Sequence, residues 1–296
     1  MQYVWPIALT DAEIVSLPEA ETQPLYAAGT TYALDAVVRH QHQLYKSLQA
    51  GNLGHTPGAA GSTEWWLPQG PTNGYALLDG KLPTATVRVG GITLVAEPAS
   101  GITGLVLLRC AGATAVHVTV TLGAIALYDR SFDMLDGVGV DNWWDYYYGD
   151  WQERSELVLT DLPGIPGARI TVNVQGSGSV SLGMLVLGQV VDLGDAQWSP
   201  EIGADDFSRV DADPLGETEI TKRGCAKTFS VTCEAPLAQL DRIARALTRV
   251  LSVPVVWIAA GGRFDALIAY GLGSWRLRPA NAKKLYGQLD IKGFKQ

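Results

Sequence analysis

The sequence predicts a mainly β chain in three parts. These are a small N-terminal β module at 1–74, a central β-sandwich at 75–195, and a small C-terminal α+β domain at 196–296 with one helix on an antiparallel sheet. Three observations lead there. Short apolar runs recur along the chain and are closed by Gly, Asn or Pro, the punctuation of strands and turns. Val116, Val118 and Val120 alternate with His117, Thr119 and Thr121, the period-two pattern of a half-buried strand. Only the stretch 236–252 carries the three- and four-residue apolar step of a helix.

Taken in order, residues 1–74 are rich in aromatic and turn residues and close with a linker-like stretch from Pro68 to Gly74. The middle region reads as strands at 85–97, 103–112, 115–129, 168–176 and 179–194, with Gly176-Ser177-Gly178-Ser179 as a turn between the last two. Several strands with Gly-rich turns indicate a sandwich or jelly roll. In the last region, 218–235 reads as a hairpin or paired strands, and the helix follows. Pro236 suits the first helical position, where its missing N–H costs nothing. Leu237, Leu240, Ile243, Ala244, Leu247, Val250 and Leu251 form one apolar stripe, with Arg242, Arg245 and Arg249 on the other side. Pro254 ends the helix, and strands at 254–260, 264–273 and 284–294 complete the chain.

Composition narrows the function. The chain has 296 residues, 47% hydrophobic and 18% charged, enough apolar material for real cores. A net charge of −8 does not attract nucleic-acid phosphates or anionic membranes. The sequence holds no apolar run long enough to span a bilayer, and its first residues lack the basic start and apolar core of a secretory signal. Cys110, Cys225 and Cys233 read as reduced thiols. Cys225 and Cys233 would share a strand face, too far apart to bridge.

Catalytic patterns are missing. The sequence contains no G-x-S-x-G, P-loop, H-E-x-x-H or C-x-x-C. Gly176–Ser179 has no helix after it to make a phosphate cradle. His40 and His42, read as one face of a strand, could offer two metal ligands with His55 and Asp35 nearby, but a site needs three or four that converge. The expectation is therefore a solvated face and no metal. His117 reads as solvent-facing or hydrogen-bonded. Asp205, Asp206, Asp211, Asp213, Glu217 and Glu219 sit among Gly, Pro and Ser and read as a solvated loop, not a glycosidase pair. A non-enzymatic protein without cofactor is expected.

Aromatic residues are the remaining candidates. Trp5, Tyr26, Tyr32, Tyr45, Trp65 and Trp66 crowd the first region. A second run holds Trp143, Trp144, Tyr146, Tyr147, Tyr148 and Trp151. Such rings offer flat apolar faces with polar edges, suited to sugar stacking or protein interfaces. In the first region, core packing competes with that role, because a small sheet needs large side chains to fill its core. If 143–151 alternates like a strand, half of it is exposed, so it reads as an interface or ligand surface.

Two stretches resemble known families. Residues 26–70 resemble small chitin-binding-type carbohydrate modules. The resemblance runs through Tyr32, Ala36-Val37-Val38, Leu44-Tyr45-Lys46-Ser47, Gly51-Asn52-Leu53-Gly54-His55-Thr56-Pro57 and Glu64-Trp65-Trp66-Leu67-Pro68. His40-Gln41-His42-Gln43 stands where that family usually has an Asn-Gly type turn. The resemblance implies sugar stacking at Tyr32 and at Trp65 or Trp66, with Tyr45 beside them. Residues 202–294 resemble the C-terminal domain of phage tail-tip and distal tail proteins, through Asp206-Phe207-Ser208-Arg209-Val210, Gly216-Glu217-Thr218, Lys222 to Lys227, the helix, Pro254 to Ile258, Tyr270-Gly271 and Leu289 to Phe294. The central sandwich resembles galactose-binding-like and jelly-roll modules in pattern alone. Together these imply a virion protein of the tail tip or baseplate, assembled in the bacterial cytoplasm as a trimer or hexamer. It would dock on other tail proteins through its C-terminal domain and present its β modules for host adhesion or fibre anchoring. A host-glycan-binding protein is the second expectation, and an accessory module of a polysaccharide hydrolase the third.

Overall fold

The structure is a computed structural model that describes residues 1–18, 22–136, 143–148, 152–212, 218–262 and 264–295. It is mainly β, with several sheets and one short helix in the C-terminal part that packs on a sheet.

Strand β1 (Gln2–Pro6) opens the chain and β2 (Ile14–Ser16) follows. A separate three-stranded antiparallel sheet comes next: β3 (Val37–His40), β4 (Gln43–Ser47) and β5 (Trp66–Pro71). The central part contributes β6 (Thr86–Ala96), β7 (Gly104–Ala111), β8 (Ala115–Leu122) and β9 (Ile125–Asp133). The single strand expected at 115–129 is thus two, because Gly123, at φ 60°, starts a hairpin turn between them. A short pair, β10 (Leu135–Asp136) and β11 (Gln152–Glu153), flanks the helix α1 (Trp143–Tyr148).

After β12 (Leu157–Leu159) comes β13 (Arg169–Asp192), a single strand where the sequence suggested two. Gly176-Ser177-Gly178-Ser179 is therefore not a turn. It is an irregularity where the register against β6 slips between Gln175 and Ser179. The reason is a close approach. A Cβ at Gly176 would meet the Gly112 carbonyl oxygen at 2.3 Å, so only glycine lets the backbones pass here while the strand continues.

β13 organises the molecule. Its first half pairs with β6 and β8; its second half pairs with β7 and then β1. The large core between these layers contains Ile92, Leu94, Val116, Val118, Val120, Val172 and Val174 facing Leu105, Leu107, Leu185 and Leu187. Arg109, at φ 57°, turns the alternation of β7, so Leu107 and Cys110, three residues apart, enter the same core.

The last third contains β14 (Asp195–Ala196), β15 (Glu201–Asp206), β16 (Arg209–Ala212), β17 (Thr218–Thr221), β18 (Cys225–Pro236), α2 (Leu240–Arg249), β19 (Val255–Ile258), β20 (Ile268–Pro279) and β21 (Lys284–Gly293). The sheet runs β13-β1-β19-β20-β21-β18, so it is continuous from the sandwich into this part. β1, read from sequence with the N-terminal module, is the joining strand. Tyr3 pairs with Val191 on one side and Trp257 on the other. A Cβ at Gly188 would meet the Trp5 carbonyl oxygen at 2.1 Å, so glycine is what lets β1 lie this close.

The helix is shorter than its apolar stripe. Pro236 does not take the first helical position: it ends β18 in an extended conformation, φ −61° and ψ 136°, and caps a 3₁₀ turn at Leu237–Gln239. Ile243, Leu247 and Val250 are buried against Tyr3, Trp257 and Leu289, whereas Leu251 is exposed. Arg242 donates to the Asp192 carbonyl at 3.0 Å, and Arg249 lies 5.2 Å over the Trp5 ring. Both arginines therefore fasten the helix to the joining strands.

Candidate binding surfaces

The small sheet buries two neighbouring tryptophans to different depths. Trp66 begins β5 and is 2% exposed, in a core with Tyr32 and Val38. Its indole N–H donates to the His55 carbonyl at 2.7 Å, which pins the 51–58 loop from below. Tyr32 is also interior. It crosses Trp66 edge-on at 5.3 Å and its hydroxyl accepts from the Ala27 N–H at 2.8 Å. These two rings lie in the core, the packing role that competed with sugar stacking in the sequence. Their bulk fills a core that three short strands cannot otherwise build.

Trp65, one residue earlier, is half-buried and packs against the edge of the same core. The His55 imidazole stacks on it at 3.8 Å and 10°. Tyr45 is half-buried too, and its hydroxyl leaves no room for a Cβ at Gly58, which would lie 2.9 Å away. The partly accessible aromatic rings of the module are thus Trp65, stacked with His55, and Tyr45. Trp65 closes the 3₁₀ turn at Ser62–Glu64 and Trp66 begins β5, so the two tryptophans sit on either side of a change in backbone conformation; which of them is buried was open in the sequence.

His40 and His42 do not share a strand face. Gln41 and His42, at φ 49° and 59°, form a two-residue hairpin turn of the kind that favours Asn-Gly. Contacts outside the small sheet hold His42 in that strained conformation. Its ring stacks on Tyr75 at 4.5 Å, Nε2 lies 3.3 Å from Asp11, and its carbonyl accepts from Thr72 N–H at 2.8 Å. The turn docks the small sheet on the rest of the chain. Among the described residues no group of three or more His, Cys, Asp or Glu converges as metal ligands would.

The second aromatic run is helical, not alternating. α1 exposes Trp143, Trp144 and Tyr147, and Trp143 stacks on Tyr147 one turn later at 6.1 Å. Trp151 and the side chains of Tyr146 and Tyr148 lie outside the described residues.

The acidic cluster is solvated and used locally. Asp205 pairs with Lys292 at 2.8 Å and Asp211 with Arg209 at 2.8 Å. Hydrogen bonds from Ser208 hold the Asp206 carboxyl below its usual range. Asp213 and Glu217 lie outside the described residues. His117 accepts or donates to Asp129 at 2.6 Å on the open face of the sandwich. Burial pushes the Cys110 thiol up to about 12 and also raises that of Cys233, while Cys225 is exposed.

One buried charge pair was not singled out in the sequence. Glu156, 1% exposed, meets Lys227 at 2.5 Å, and Lys227 also donates to the Asp265 carbonyl at 2.8 Å. The pair ties the segment before β12 to β18. A lone glutamate among polar residues carries no periodic signal that would mark it. Comparison with protein-family models, curated proteins and solved structures found no match.

Proposed function

We propose that the chain is a structural component of a phage tail tip or baseplate. It docks on other tail proteins through its C-terminal part and presents β modules for host adhesion or fibre anchoring. The observation that supports this most is the ordered resemblance between Asp206 and Phe294, carried on one end of a continuous sheet. Partly or fully exposed aromatic pairs lie outside that stretch, at Trp65–His55 and at Trp143–Tyr147. A continuous sheet with a docking end, and aromatic rings outside that end, suits assembly and contact. On this reading the chain is a homo-oligomer, a trimer or hexamer, with no catalytic role and no cofactor. Cryo-electron microscopy and mass spectrometry of purified particles test it: the chain is expected at fixed stoichiometry at the tail end. Its absence from particles overturns the reading.

A second reading is binding of host-surface glycans, favoured by the Trp65–His55 platform. A glycan array probed with the full chain and with Trp65→Ala tests it. Saturable binding that the variant loses by tenfold or more is expected; no binding by the parent chain sinks it.

A further inference from the structure

The small sheet has a core of its own. Tyr32, Val38 and Trp66 are buried together, and among the described residues none of 23–71 packs into another hydrophobic core. The sheet β3-β4-β5 pairs with no other described strand. Arg39 binds the Gln23 and Pro24 carbonyls, so these residues belong to the same unit.

The contacts that tie this unit to the rest of the chain gather at one end. There Gln43 is paired with Pro71, the last residue of β5, and the Gln41–His42 turn stands beside the exit of the chain. Thr72, the next residue, is fixed on the other side. It is 1% exposed, and its carbonyl accepts from the Tyr75 and Ala76 N–H groups at 3.1 and 3.0 Å. The Asn73 side chain then clamps both backbone groups of Val87, at 2.9 and 3.0 Å. The change from one unit to the other falls at the Pro71–Thr72 link. The opposite end of the sheet, where Ser47 meets Trp66, carries the Trp65–His55 pair. Five residues of β5, at about 3.3 Å each, put that end roughly 16 Å from the link.

The base of the unit is part contact and part open space. His42 stacks on Tyr75 at 4.5 Å and lies 3.3 Å from Asp11. Beside that contact Asp11, Leu25, Tyr26, Arg39 and His40 border a cleft of about 410 Å³. His42 makes its contact at φ 59°, in a turn position that favours glycine. Such a conformation persists only where its surroundings hold it, so the contacts with Tyr75 and Asp11 offset the strain of the turn.

We propose that residues 23–71 form a lever that pivots at the Pro71–Thr72 link, and that His42 is the latch that seats it. An independent core lets the unit move without unpacking, and the cleft gives it room to tilt. Release of the latch carries the Trp65–His55 pair, at the far end, through an arc, as in other hinge motions. The device depends on the contacts of the small sheet alone and not on tail attachment.

Double electron–electron resonance on the full chain tests the latch. One nitroxide is placed on Ala50→Cys, an exposed position at the far end of the sheet, and one on the exposed native Cys225; Cys110 and Cys233 are buried. With His42 in place, a single narrow distance distribution is expected. His42→Gly relaxes the turn and removes the ring. It is expected at least to double the width of the distribution, with hydrogen-exchange protection of β3–β5 unchanged. Tyr75→Ala is expected to broaden it in the same way from the other side of the contact. Three results overturn the latch: an unchanged width in both variants, an equally broad distribution with His42 in place, or lost exchange protection across β3–β5 in His42→Gly.

Discussion

Trp65 and Trp66 are adjacent in sequence but buried to different depths. Trp66 fills the small sheet's core and holds the His55 carbonyl, so Trp66→Ala removes both packing and a hydrogen bond. The expected cost is about 3–5 kcal/mol, enough to unfold a core this small, with proteolytic cleavage appearing inside residues 24–72. Trp65→Ala removes a half-buried ring at the edge of that core and its stack on His55, and is expected to cost less and leave that segment more resistant; equal cleavage of the two variants contradicts this assignment. The thiols give a second residue-scale prediction. The reactive species is the thiolate. Burial keeps Cys110 and Cys233 protonated up to a pH above the ordinary thiol range, whereas Cys225 is exposed. A maleimide at pH 7.5 is therefore expected to label one thiol per native chain and three after denaturation. Fast labelling of two or more native thiols contradicts the burial.

At the scale of elements, the ion pair between Glu156 and Lys227 fastens β18 to the segment before β12. Removing one partner of a buried pair strands the other charge away from water. Lys227→Met is expected to lower stability by about 3–5 kcal/mol, read from the shift of a urea melt. A loss under about 1 kcal/mol shows that water replaces the ammonium and that the pair is not structural. Helix α2 is held differently. Ile243 and Leu247 are buried, with Arg242 and Arg249 fastened at its edges. Leu247→Ala is expected to cost about 2–5 kcal/mol, and Leu251→Ala, at an exposed position, less than about 0.5 kcal/mol.

At the scale of the molecule, β1 decides cooperativity. It is hydrogen-bonded to β13 on one side and β19 on the other, and Val4 is fully buried. The two halves therefore share a strand rather than a hinge. Val4→Asp buries an unpaired carboxylate between them. It is expected to destabilise sandwich and C-terminal part together, seen as simultaneous loss of near-ultraviolet circular dichroism and of protease resistance in both. Loss confined to one half means that the shared strand does not couple them. In calorimetry of the parent chain the continuous sheet is expected to melt in one two-state transition.

Strand periodicity, turn residues and the single apolar helix stripe determined the mainly β class, the burial of Val116, Val118 and Val120, and the placement of the helix after 236. These are local properties, because a strand or helix face must alternate or repeat to bury one side. Tertiary structure alone decided what neighbours did. It made one strand of β13 by passing Gly176 close to Gly112, and inserted β1 between two halves far apart in sequence. It turned Gln41 and His42 into a strained hairpin held by Tyr75 and Asp11. It also chose Trp66 over Trp65 for the core and left Val210, Ile220 and Trp198 uncovered. Each of these depends on contacts between distant residues, which a local pattern does not encode.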